Sequence, residues 1–103
     1  MAKSKIVKTL ESTGLPVSYG LFPEGKKPPY IVYIGNGQTV FGADDTHYWS
    51  KNGYQVEYYF KKKSEAAETA IENILLQAGY IFQKSEDVYL EEENVFLIYY
   101  MVE

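Results

Sequence analysis

A chain of 103 residues has room for one domain and one hydrophobic core, and folding removes roughly 60–70% of the surface that a chain of this size exposes when unfolded. It is 46% hydrophobic, 23% charged and 17% aromatic, with eleven tyrosines, a globular composition that excludes disorder as the default state. The absence of cysteine excludes disulfides, thiolate metal sites and a cysteine nucleophile, while a net charge of −4 carried against ten lysines and no arginine argues against nucleic acid and excludes bidentate arginine readout of phosphate or guanine.

Ile6, Val7 and Leu10 fall on one helical stripe behind Ser4, and Gly14 supplies a left-handed stop, which predicts a short helix over residues 4–13. Leu15 to Gly20 is extended, because proline restricts the residue before it. Residues 22–29 hold three of the four prolines and form a loop. Tyr30 to Ile34 and Gln38 to Phe41 alternate as strands around Asn36-Gly37, whose tolerance of positive φ predicts a tight hairpin turn. Residues 42–53 read as an ordered surface loop, and Tyr54, Val56, Tyr58 and Phe60 as a strand with one buried face and one mostly wet face. Ser64 caps a helix over residues 65–78 with Ala67, Ala70, Ile71, Ile74, Leu75 and Ala78 on its apolar side, ended by Gly79. Residues 80–84 form a strand, residues 88–90 a short one, and residues 95–102 an apolar run suited to the middle of a sheet. The expectation is a single α+β domain spanning residues 1–103, with a mainly antiparallel or mixed sheet and two helices packed on it. Its order is α-β-β-β-β-α-β-β apart from the short 88–90 segment.

No long apolar region follows the basic N-terminus, and no run of about eighteen apolar residues occurs, so neither a signal peptide nor a membrane span is expected. Residues 1–63 carry nine lysines against five acids, and residues 64–103 one lysine against nine acids. Such asymmetry gives opposed faces suited to head-to-tail contacts between identical subunits, unless folding interleaves the two halves.

His47 is the sole histidine, so neither a multi-histidine metal site nor a Ser-His-Asp arrangement can be assembled. Asp44 and Asp45 beside it are better read as a solvated loop. Glu91-Glu92-Glu93 lacks the spacing of a calcium loop and reads as a charged connection, while Lys61-Lys62-Lys63 reads as a solvated strand end or a contact for an acidic partner. No catalytic, cofactor or metal site is therefore expected, and the chain is not expected to be an enzyme. The aromatic surplus, including Tyr48-Trp49 and Tyr59, signals either a protein interface or a thick core with tyrosine hydroxyls at its edge. Candidate interface residues are Tyr48, Trp49, Tyr59, Lys61, Lys62, Lys63, Glu91, Glu92 and Glu93.

One ordered set of motifs, namely Leu15-Pro16-Val17-x-Tyr19-Gly20, Pro28-Pro29-Tyr30-Ile31-Val32-Tyr33, Ala43-Asp44-Asp45 and Gly53-Tyr54-Gln55-Val56-Glu57-Tyr58, resembles small head-tail joining proteins of long-tailed phages and prophages of Gram-positive bacteria. The likeness covers residues 15–103. It implies a structural neck protein of tail terminator or tail completion type, made in the bacterial host cytoplasm and residing in the virion. By that resemblance its partners are itself, as a ring homo-oligomer, and phage tail-tube and head-connector proteins. It implies no cofactor, no specific nucleic acid and no membrane. A small non-catalytic domain binding a peptide or ligand through an exposed strand and the Tyr48-Trp49 loop is the alternative.

Overall fold

The computed structural model describes the backbone of residues 4–40 and 49–103, with side chains described outside 36–40 and 49–52. The first helix, α1 (Lys5–Glu11), starts where the Ser4 hydroxyl accepts a bond from the Val7 amide and buries Ile6 and Leu10 one turn apart. A short strand, β1 (Val17–Tyr19), follows and pairs in parallel with β2 (Tyr30–Val40), placing Val17 opposite Ile31. Parallel neighbours need a crossing connection, and residues 20–29 provide it, including a cis Pro28–Pro29 bond.

Next, β3 (Trp49–Phe60) runs antiparallel to β2, and α2 (Glu65–Gln77) crosses back over the sheet. Ser64 caps α2 by accepting from the Ala67 amide at 3.1 Å. At the other end Gly79 takes a φ of +94°, a conformation open to glycine and strained for other residues. Two short strands, β4 (Phe82–Lys84) and β5 (Val88–Leu90), then lie in tandem along β6 (Val95–Val102). The sheet order is β1-β2-β3-β6-β4, with β5 also on β6. The mixed sheet and the two helices agree with the α+β expectation.

Both helices cover the same side of the sheet. Ile6, Leu10, Ile71 and Leu75 pack on Ile31, Val56, Tyr58, Phe60, Ile98 and Tyr100. Leu75 and Tyr100 are fully buried, and burial of each such side chain stabilises the fold by about 1.5–3 kcal/mol. The opposite side carries a second cluster of Tyr30, Val32, Tyr59, Val95 and Leu97, with no helical residue in it. Alternation along each strand thus feeds two clusters.

Five expectations need correction. Asn36-Gly37 makes no hairpin turn, because β2 continues through it to Val40 and keeps pairing with β3, with register irregularities on both sides of the Gly37–Gly53 pair. What stands here is a break in register between paired strands, not a reversal. For the same reason β3 begins at Trp49, so residues 49–53 are strand, while residues 41–48 lie outside the described residues. The β3 face expected to be wet is dry at its centre, since Glu57 and Tyr59 are both buried. On α2, Ala70 is exposed and Glu68 takes a place in the inward stripe. The strand order becomes three before α2 and three after it, because one long β2 replaces the two strands expected around Asn36-Gly37.

Candidate interaction surface

A cleft of about 540 Å³ opens where β3 ends and α2 begins. It is lined by Pro28-Pro29, by Tyr58 and Phe60, which are otherwise buried, and by the exposed Lys61, Lys62 and Lys63. The local sequence explains the shape. β3 must stop at Phe60 so that the chain can turn into the Ser64 cap, and the lysines fill the exposed corner between them. Behind this lining the rings are stacked, Tyr58 on Phe60 at 5.1 Å and Phe60 on Phe96 at 5.5 Å.

The corner is fixed by an ion-pair network centred on Glu68, only 3% exposed. Its Oε1 accepts from Lys84 Nζ at 3.0 Å, and its Oε2 lies 2.7 Å from Lys63 Nζ. The Oε2 contact lies outside hydrogen-bond geometry; it is a charge pair by distance, and Coulomb attraction does not require the bond angle. Lys63 also binds Asp87 at 3.0 Å, and Lys84 binds Glu72 at 2.8 Å. The Tyr100 hydroxyl donates to Glu72 at 2.8 Å. Burial pushes the Glu68 carboxyl up, but Lys63 and Lys84 outweigh it and leave it below the usual range. The close contact with Glu68, then the bond to Asp87, raise Lys63 to about 12 against the opposing effect of burial. Lys84 is raised as well, first by Glu72. These contacts tie α2 to β4 and to the β4–β5 connection, and so position this side of the cleft.

On the helix-free side, Glu57 is 8% exposed and has no cation within ion-pair distance among the described residues. Neutral donors satisfy it instead. The Tyr59 hydroxyl donates at 2.6 Å and the Gln55 amide at 2.7 Å. Burial, then the bond to Glu57, hold the Tyr59 hydroxyl well above the usual tyrosine range. Phe22 meets Tyr59 edge-on at 5.1 Å and Tyr30 at 5.9 Å, so the loop before β2 lids this cluster.

The residues expected at an interface are dispersed accordingly. Tyr59 is a correction: at 5% exposure its ring belongs to the interior, in agreement with the alternative of a core edged by tyrosine hydroxyls. Lys61, Lys62 and Lys63 line the cleft, but Lys63 is engaged by Glu68 and Asp87. Glu91, Glu92 and Glu93 are exposed in the turn between β5 and β6. Tyr48, like His47, Asp44 and Asp45, lies outside the described residues, as does the side chain of Trp49. The two halves of the charge distribution interleave, because Lys63 pairs with Glu68 and Asp87 and because Phe60 pairs with Phe96, bringing the lysine run and the Glu91–Glu93 run to one end of the sheet. Sequence reasoning missed Glu68, although its spacing from Ile71 and Leu75 sets a carboxylate into an apolar stripe, which calls for a cation.

Among the described residues no group of three or more histidines, aspartates and glutamates could hold a metal ion. No helix among the described residues is long and apolar enough to cross a membrane. The chain matches no protein-family model and no curated protein.

Proposed function

We propose that this chain is a structural subunit that works by self-association and protein–protein contact, as a neck component of a long-tailed phage or prophage of tail terminator or tail completion type. The observation that carries the reading is the apolar surface left over once the core is filled. Tyr19, Leu21 and Phe22 follow one another at 61%, 75% and 49% exposure at the β1 edge. A contiguous exposed apolar stretch on a small chain marks a surface that becomes covered in a complex. The ordered motifs from Leu15 to Tyr58 supply the phage assignment, and a sheet whose buried Glu68 is ion-paired and whose buried Glu57 is hydrogen-bonded suits a part that holds shape.

The test is genetic and microscopic. Particles assembled without this chain are expected to show tails of unregulated length or tails without heads, and normal particles overturn the reading. The purified chain is also expected to bind tail-tube or head-connector protein from its own phage. Genes for portal, capsid or tail-tube proteins beside its own favour this reading over a free-standing peptide-binding domain.

A further inference from the structure

We infer that the chain joins further copies of itself through both outer edges of the β2–β3 ribbon, with residues 34–40 of one copy lying antiparallel to residues 49–53 of the next. The inference deepens the self-association reading by naming the surfaces that meet, and it rests on that reading. β1 covers β2 only at Ile31, Val32 and Tyr33, and β6 covers β3 only from Tyr54 to Phe60. The two strands nevertheless run on together to the Val40–Trp49 pair. Among the described residues this ribbon has no strand on either outer side.

The edge of β2 offers unfilled backbone. The Ile31 amide donates to the Pro16 carbonyl at 2.9 Å, and the Tyr33 carbonyl accepts from the Gly20 amide at 2.9 Å, so the odd-numbered residues of β2 turn their backbone groups toward β1. Alternation puts Gly35 next in that line, but the chain leaves the sheet at Gly20, whose φ is +74°. Gly35 is exposed and has no side chain to hold a neighbour off. A two-stranded ribbon is marginal by itself in water, and an open edge of this kind is a template for an added strand.

Two observations select a second copy as that strand. The first is that both edges of the ribbon are open. A segment of another protein, or a two-fold contact of β2 with β2, fills one edge and leaves the other; β3 against the β2 of an identical chain uses both. Copies related by rotation about the ribbon direction keep their ribbons pointing the same way, so β3 and the neighbouring β2 run antiparallel, as they do within the chain. Repetition of that contact leaves no ribbon edge free once the row closes. The second observation is that each edge has exposed apolar residues at its base. Tyr19 and Leu21 stand where β1 turns away from β2, and Ile81 stands where β6 reaches the end of its pairing with β3, exchanging both backbone bonds with Glu103 at 2.9 Å. Joining β3 to the next β2 sets these two margins facing each other, so apolar surface covers apolar surface.

Hydrogen exchange and cross-linking test the contact. Raising the wild-type chain from about 10 μM to about 1 mM is expected to slow amide exchange at least about tenfold both within residues 34–40 and within residues 49–53. Gly35→Pro removes an amide that faces the vacancy, a change that an edge strand tolerates, and it should reduce the slowing to less than about twofold in both segments. Far-UV circular dichroism checks that its fold is kept. Because the chain has no cysteine, isotopically light Leu21→Cys and heavy Ile81→Cys chains are joined by a short bismaleimide at those positions alone, and the light–heavy product is expected to exceed both like–like products. No slowing at about 1 mM, slowing at one edge only, slowing that survives Gly35→Pro, or an excess of like–like product overturns the inference. A segment of another protein as the true occupant gives the first of these, and a two-fold contact gives the second. Exchange reads the contact and particle morphology reads the role: slowed exchange alongside normal particles refutes the phage assignment and leaves the contact standing, and defective particles with no slowing do the reverse.

Discussion

Replacing Glu68 by glutamine keeps the side-chain volume of the α2–sheet junction and removes its central charge. The carboxylate is 3% exposed and lies 2.7 Å from Lys63 and 3.0 Å from Lys84. Breaking a buried pair by removing one partner typically costs about 3–5 kcal/mol. Two features lower that figure here. Lys63 and Lys84 are 46% and 35% exposed as side chains, so solvent screens them, and each retains another acid, Asp87 or Glu72. The expected loss for Glu68→Gln at pH 7 is about 1–2 kcal/mol, or about 4–8 °C of Tm per kcal/mol in a chain of this size. Its pH dependence has a fixed sign. Because the folded chain holds this carboxyl below its usual range, its contribution is complete above the unfolded glutamate value of about 4.3 and disappears as pH falls through the lower folded value. Urea unfolding followed by far-UV circular dichroism at a series of pH values reads both quantities. A variant as stable as the parent at pH 7, or a deficit that persists undiminished to pH 2, refutes the reasoning.

Leu75→Ala empties a fully buried site between α2 and the sheet and is expected to cost about 2–5 kcal/mol by denaturant unfolding. Ser64→Ala removes the acceptor of the Ala67 amide and should cost about 1 kcal/mol in the same measurement. Gly79→Ala meets open space, with Lys5 Nζ at 3.9 Å as its near neighbour, but sits at a φ of +94°; a loss of about 1 kcal/mol from backbone strain alone is expected. In alkali, Tyr100 is held above its usual range by burial and by its bond to Glu72, so its contribution is complete below about pH 10 and declines above it as the unfolded chain ionises first. Tyr100→Phe should make the fall in stability above pH 10 shallower by up to about 1.4 kcal/mol per pH unit, as read by unfolding at pH 9, 10 and 11.

The helices were legible because each carries its own start and stop: Ser4 and Ser64 accept from amides three residues on, and Gly14 and Gly79 take positive φ. The central place of residues 95–102 was legible too, since Val95 to Tyr100 feed both clusters. Asn36-Gly37 misled because a dipeptide suited to a turn is also tolerated within a strand, and the continuation of β2 is set by its pairing with β3. Polar residues 49–53 read as loop because nothing in their pattern reveals that β2 supplies their backbone partners. For Glu57 and Tyr59, alternation correctly put them on one side, but their dryness depends on Phe22 folding over Tyr30 and Tyr59 from a separate loop. The cleft was not legible as a shape: its lysines were in view, while the Pro28-Pro29 wall lies thirty residues upstream and joins them only through the β2–β3 pairing.

The borders of the sheet have a consequence for how the chain can grow into anything larger. One margin is β1, three residues long; the other is divided into β4 and β5, three residues each, with Ser85 bridging to Tyr99 through its amide and its hydroxyl before Glu86 and Asp87 interrupt the line. Along these two margins a neighbouring backbone would find only brief, broken rungs to extend, which discourages strand-by-strand fusion there, whereas β2 beyond Tyr33 and β3 before Tyr54 have no strand on their outer side among the described residues. Along the β1 and β4–β5 margins a partner must grip with side chains, and a grip of that kind can be reset by single charges.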